Sequence, residues 1–233
     1  MVDFHSHFLP GIDDGASDVD MSLSMLRESY RQGIRLMCAT PHFYADEDDP
    51  QQFLERRQDA YYRLCEAMGE DEGFPRILLG AEILYFPGIS VSEEIRALAL
   101  QSSPFLLVEP PLMPWSDAML DEIEQCGHTL HCIPVIAHID RYIRILHDPT
   151  LFERVEDRRM LIQVNASFFL HRQSRDFALD CLDRKRFHFV GSDCHDMDGR
   201  APNLGDAASV IEEAGLRDAY NAFHARIYSL LDR

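Results

Sequence analysis

The sequence has no CxxC pair, no long apolar run and no linker, and each gap removes a class of protein. Its six cysteines, at 38, 65, 126, 132, 181 and 194, form no dense framework, so reduced thiols are expected and no redox role is forced. No apolar stretch approaches the ~18–20 residues of a spanning helix. Met1 leads directly into the first strand-like run without a signal-like leader, so a cytoplasmic protein with no membrane insertion is expected. No Ser/Gly-rich or Pro-rich segment, internal repeat or low-complexity tract divides the 233 residues, which suit one domain spanning 1–233. Basic residues are scarce as well. Twenty-two stand against 40 acidic ones, for a formal charge of −18, which argues against nucleic acid as a partner because phosphate contacts dominate such affinity. No feature assigns an oligomeric state.

What is present is an alternation of strand and helix signals. Seven apolar runs bounded by breakers, at about 2–5, 34–39, 76–82, 104–109, 132–138, 160–165 and 187–192, have the character of buried parallel strands. Helical patterns fill the gaps. Ser17 with Asp20 reads as a capping box for a helix ending near Gly33, and Asp49-Pro50 opens another carrying Phe53, Tyr61, Leu64 and Met68. Further helices are predicted at about 90–100, 115–126, 148–157, 174–185, 204–214 and 217–231. The acidic run Asp46–Asp49 reads as a solvated loop.

Potential metal ligands sit at or just past the ends of these runs. In Asp3-Phe4-His5-Ser6-His7 the two histidines are two apart, and in a strand that spacing aims both the same way. Alone the pair is a weak signal. It gains weight because His42, Glu82, Glu109, His138, Asp193 and His195 each follow another strand-like run. An open doubly wound sheet builds its site at one switch point from a few strand ends, whereas a barrel gathers the ends of all its strands. Ligands after at least six successive runs therefore predict a distorted TIM-like (β/α)7 barrel with its site at the C-terminal face.

His5-Ser6-His7, Leu9–Gly15, Thr40-Pro41-His42, Gly80-Ala81-Glu82, Val108-Glu109, Ala137–Tyr142 and Ser192-Asp193-Cys194-His195 together resemble the PHP phosphoesterases. Within them the chain is most similar to the bacterial manganese-dependent protein-tyrosine phosphatases of the CpsB/CapC type, over residues 3 to about 205. The resemblance implies the PHP fold and three divalent ions. His5, His7, Glu82 and Asp193 would hold the first, with Glu82 bridging to a second held also by Glu109 and His138. Asp14, His42 and His195 would hold the third. A thiolate-free set rich in oxygen favours manganese, with iron or zinc as alternatives. Arg141 and Arg200 match basic positions of the phosphatase branch and are expected to bind the non-reacting phosphate oxygens, against surface ion pairs as the plainer role. The implied substrate is a phosphotyrosine protein, namely a bacterial tyrosine kinase controlling capsular or exopolysaccharide synthesis. A small-molecule phosphatase such as histidinol-phosphate phosphatase is the alternative within enzymes, and a catalytically silent PHP binding module the alternative outside them.

Two other patterns compete for the same residues. Cys194 to Arg200 has the C-x5-R spacing of cysteine-dependent tyrosine phosphatases, but Asp196 and Asp198 inside that loop would repel phosphate and oppose a thiolate, so Cys194 reads as a packing residue. Asp13 beside Asp14 reads as a loop residue or one that supports a ligand from behind. Asn165 reads as either lining the site or serving as a structural amide, and the histidines at 128, 131, 147, 171, 188 and 224 are assigned ordinary polar roles.

Overall fold

A computed structural model describes residues 1–148 and 150–231. All seven predicted runs form strands, and two of them are interrupted. The first is β1 (Val2–Ser6). The second forms β2 (Leu36–Ala39), breaks at Thr40-Pro41 and resumes as β3 (His42–Phe43). The third forms β4 (Arg76–Leu79), breaks at Gly80-Ala81 and resumes as β5 (Glu82–Leu84). Proline lacks the N–H a central ladder needs. Hydrogen bonding nonetheless continues across both breaks, from Thr40 N to Ser6 O (2.9 Å), Gly80 N to Ala39 O (2.8 Å) and Glu82 N to Pro41 O (3.0 Å). The remaining runs are β6 (Phe105–Glu109), β7 (Ile133–Ile136), β8 (Leu161–Asn165) and β9 (Phe189–Gly191).

Every pairing is parallel: β1-β2-β4 form one sheet and β3-β5-β6-β7-β8-β9 the other. The sheet curls until the last strand meets the first. Asp193 N donates to His5 O (2.8 Å) and His7 N to Cys194 O (2.9 Å). Gly191 permits this closure, because a Cβ there would stand 2.5 Å from His5 Cβ. The expected distorted barrel is thus observed.

Helices follow the strands as parallel connections require. They are α1 (Val19–Arg31), α2 (Pro50–Met68), α3 (Asp117–Thr129), α4 (Ile139–Leu146), α5 (Leu151–Glu156), α6 (Ser167–Leu170), α7 (Arg175–Asp183), α8 (Leu204–Glu213) and α9 (Arg217–Leu231). Asp49 caps α2 as predicted, with Pro50 in the first turn. Three expectations need correction. The cap of α1 is Asp18, whose carboxylate accepts from Met21 N, while Ser17 only donates to Asp18. The helix expected at 90–100 is two 3-10 turns, Ile89–Val91 and Glu93–Leu98. The one expected at 148–157 is the shorter α5, residue 149 lying outside the described residues.

One apolar cluster fills the space between strands and helices, and a second, smaller one plugs the barrel beneath the site. In the plug Phe4 stacks on Phe189 with centroids 3.8 Å apart, and Ile227 and Leu231 of α9 contribute to the same cluster. Among the described residues no helix is long and apolar enough to cross a membrane.

Candidate metal centre

A bulge in β1 creates the site's first pair of donors. The register of β1 against β2 shifts between Asp3 and Ser6. Phe4 packs on Phe189, while its neighbour His5 reaches Gln163, the residue registered beside Phe189. Strict alternation would put Phe4 and His5 on opposite faces; the extra residue of a bulge turns both inward. His5 and His7 then keep the shared direction read from their spacing, with Nε2 atoms 3.1 Å apart.

Glu82 is the centre of the arrangement. Its Oε2 lies 3.0 Å from His5 Nε2, 3.2 Å from His7 Nε2 and 3.2 Å from His42 Nδ1, and its Oε1 lies 2.8 Å from His138 Nε2. Glu109 Oε1 is 3.4 Å from the same His138 nitrogen, and Asp193 Oδ1 is 3.7 Å from Nε2 of both His5 and His7. On the rim, exposed Asp14 brings Oδ1 to 3.3 Å from His195 Nε2 and 3.6 Å from His42 Nε2. All nine residues expected to bind metal therefore gather in one place. Three compact donor groups emerge: His7, Asp14, His42 and His195; His5, His7 and Asp193; and His42, Glu82 and Glu109. They overlap the implied sets but share His7 and His42 between groups, and His138 enters only through its contacts to the two glutamates.

The donors converge on common points more than they bond to one another. Among the described residues, buried Glu82 Oε2, His42 Nδ1 and His195 Nε2 have no hydrogen-bond partner despite these short separations. Orphaned buried polar atoms are rare and costly, and a cation on which lone pairs converge satisfies them together. The residues present therefore fit divalent cations. Their nitrogen and carboxylate character suits manganese, iron or zinc. Two ligand candidates also hold backbone in the left-handed region, His138 at φ 29° and Asp193 at φ 54°, the kind of strain that persists where surrounding structure enforces it.

Charges respond to this crowding. Burial would lower the His7 pKa, but its hydrogen bond to Asp13 and the nearby Glu82 carboxylate outweigh it and push it up to about 10. Burial opposes ionisation of Asp13, yet His7 holds that carboxyl down at about 2. Glu82, though buried, is held well below its usual range by the imidazoles around it. His195 is lowered to about 4, first by burial and then by positive charge on His7 and Arg200. Carboxylates ionised under this much burial call for positive charge.

Several residues hold the donors in place. Asp13 Oδ2 bonds His7 Nδ1 (2.7 Å) and accepts from His42 N (3.0 Å), which fixes its role as a support. Asn165 Nδ2 donates to Asp193 Oδ2 (2.9 Å), so it does line the site. Gln163 was not anticipated. Its Oε1 bonds His5 Nδ1 (3.2 Å) and accepts from His138 N (2.6 Å), while its Nε2 reaches Asn165 Oδ1 (2.9 Å). A buried amide two residues before Asn165 in the otherwise apolar run Leu161–Asn165 was the available signal.

Arg141 and Arg200 both stand at the mouth. Arg141 donates to Asp193 Oδ2 (2.8 Å) and Glu109 Oε1 (3.3 Å), and Arg200 to Asp193 Oδ1 (2.7 Å). With Asn165 and Ser167 they border a cavity of about 310 Å3. Cys194 is fully buried in the apolar cluster, and burial drives its thiol well above the usual range, so it is a packing residue. Of the other histidines, those at 128, 131, 147 and 171 are exposed, whereas His188 and His224 accept backbone N–H groups from Ile162 and Val2.

Fold and site together define an α/β barrel with a candidate centre for several cations at its C-terminal mouth. The chain belongs to the CpsB/CapC capsular polysaccharide synthesis family, whose model matches residues 1–225. It is 28% identical over 245 residues to tyrosine-protein phosphatase CpsB of Streptococcus agalactiae serotype III (strain NEM316), covering 99% of this chain and 98% of that protein. It is 29% identical over 223 residues to tyrosine-protein phosphatase YwqE of Bacillus subtilis (strain 168), covering 91% and 84%. A solved structure from the pair YwqE of Bacillus subtilis and CpsB of Streptococcus pneumoniae, described as unique metal-dependent tyrosine phosphatases, matches with a TM-score of 0.86 at 26% identity. That match covers 100% of this chain and 94% of the other. The resemblance read from the motifs is confirmed.

Proposed function

We infer that this chain is a metal-dependent phosphatase that hydrolyses phosphotyrosine in proteins. The observation carrying the reading is the gathering of nine candidate ligands at one mouth, where three imidazoles lie within 3.2 Å of Glu82 Oε2, an orphaned buried carboxylate oxygen, beside two arginines. His5, His7, Glu82 and Asp193 are assigned to one cation, Glu82, Glu109 and His138 to a second, and Asp14, His42 and His195 to a third, with manganese favoured. When bound, such ions supply Lewis acidity toward a phosphoryl group and neutralise its charge. Arg141 and Arg200 bind the non-reacting phosphate oxygens through their planar forks, a phosphate competing with Asp193 for both. Asp13 and Gln163 keep the imidazoles of His7 and His5 turned toward the mouth. A tyrosinate leaving group, with parent pKa ~10, demands less of a general acid than an alkoxide does.

The reading extends to a single domain over 1–233, located in the cytoplasm and acting on a bacterial tyrosine kinase that governs capsular or exopolysaccharide synthesis. Its support is family membership and the tyrosine phosphatase names of the relatives. The test is a turnover assay on metal-stripped protein reloaded with manganese, iron or zinc, using a phosphotyrosine peptide, a phosphoserine peptide and histidinol phosphate. Chelation should abolish activity, manganese should restore it, and phosphotyrosine should give the highest kcat/KM. Full activity in verified metal-free protein would overturn the metal assignment, and a clear preference for histidinol phosphate would overturn the protein substrate.

A further inference from the structure

The mouth continues into a second cavity whose chemistry differs from that of the centre. This space of about 480 Å3 is lined by Arg144 of α4, His171 and Arg172 just past α6, and the apolar side chains of Ile143, Phe168 and Phe177. It shares Asp140, Arg144 and His171 with the smaller cavity that Arg141, Asp193 and Arg200 border, so the two adjoin. Arg141, Arg154, Arg158, Arg186 and Arg200 all pair with carboxylates. Among the described residues, neither Arg144 nor Arg172 has a carboxylate at ion-pair distance; Arg144 meets only His171, at 3.5 Å. In a chain with 40 acidic and 22 basic residues, acidic partners are abundant. With Arg144 and Arg172 against the single carboxylate of Asp140, this groove is locally basic in a chain of net negative charge. Asp140, the carboxylate in the shared wall, is committed to Asn165 N at 2.8 Å.

We propose that this groove binds acidic residues flanking the phosphotyrosine of a protein substrate. Arg144 and Arg172 meet the flanking carboxylates, and the Phe168–Phe177 face packs against the apolar parts of the same segment. This rests on the phosphotyrosine reading above. An extended peptide advances about 3.4 Å per residue, so a flank of a few residues reaches the second cavity while the phosphate occupies the first. The groove is a specificity site and takes no part in the chemistry.

The test pairs a binding and a turnover measurement on the metal-loaded protein. Fluorescence anisotropy is read with an unphosphorylated tyrosine peptide carrying Asp and Glu on both flanks, and with its Lys-flanked counterpart. Turnover is read with the phosphorylated pair and with free phosphotyrosine. The acidic peptide should bind more tightly, and Arg172→Glu should weaken it about three- to tenfold while strengthening the Lys-flanked one, the size expected for one or two exposed ion pairs. In turnover the change should fall on KM, with free phosphotyrosine unaffected by Arg172→Glu. Equal binding of the two peptides, or a preference that Arg172→Glu and Arg144→Glu leave unchanged, would overturn the groove. Failure of the metal-loaded wild-type protein to hydrolyse either phosphopeptide or free phosphotyrosine would instead overturn the phosphatase reading, and the anisotropy result would still decide the groove.

Discussion

Gln163 and His224 are polar groups whose importance comes from where they are buried. Gln163 holds His5 by its ring and His138 by its backbone, so one amide sets the position of two donors that meet the two oxygens of Glu82. Replacing it by methionine keeps the volume and removes those bonds. Gln163→Met should weaken manganese binding about 10- to 100-fold in a competition assay against a chelating dye, with the fold retained by circular dichroism. Unchanged affinity would show that the histidines hold themselves. His224 lies under the barrel, accepting Val2 N at 3.1 Å. Burial, and then the positive amino terminus, lower its pKa to about 3. Between about 3 and its ordinary ~6.5 the unfolded chain takes a proton the folded chain refuses. Stability from this group is thus complete above about 6.5 and declines as the pH falls through that window, by at most ~1.4 kcal/mol per unit. The acid-side slope of Tm against pH should be shallower in His224→Gln than in wild type; identical slopes would remove His224 from the account.

Among the elements, α1 and α4 show how far local rules reach. Ser17 and Asp18 are adjacent and both are common helix caps, and only the structure shows that Asp18 accepts from Met21 N at 2.9 Å. Asp18→Ala should lower Tm measurably while Ser17→Ala leaves it nearly unchanged, and the reverse order would restore the serine as the cap. The first strand teaches a related lesson. The spacing of His5 and His7 correctly gave their shared direction, but the bulge that also turns Phe4 inward depends on the register against β2 and has no signature in the five residues themselves. Helix α4 begins at Ile139, directly after His138, which offers no side-chain cap and itself holds a left-handed φ of 29°. Rules built on caps pass over it, although it carries Arg141.

Across the whole molecule, closure of the barrel concentrates charge. Asp14, Glu82, Glu109 and Asp193 come together in a chain already at −18, a concentration of negative charge that bound cations would help neutralise. Manganese at a hundred times its Kd should add about 2.7 kcal/mol of stability at a single site. For a domain of this size that is a rise in Tm of about 5–10 °C. Calorimetry with and without chelator should show this shift, and Glu82→Ala should abolish most of it. A Tm indifferent to metal in the wild type would argue against the centre.

The sequence by itself determined the seven strand runs, their parallel alternation with helices, and eight of the nine candidate ligands, Asp14 being added by the family resemblance. Hydrophobic periodicity and the chemical type of a residue are local properties and survive without coordinates. It also pointed to Cys194 as a packing residue, because the acidic residues around it oppose a thiolate wherever the loop lies. Only the tertiary structure decided the rest. That Glu82 Oε2 lies within 3.2 Å of three imidazoles, that Gln163 holds His5 and His138, and that among the described residues Arg144 and Arg172 lack a carboxylate partner beside the mouth all depend on distances between residues far apart in the chain. Such distances are set by strand register, by the β1 bulge and by the approach of β9 to β1 that Gly191 allows, none of which is a property of any single segment.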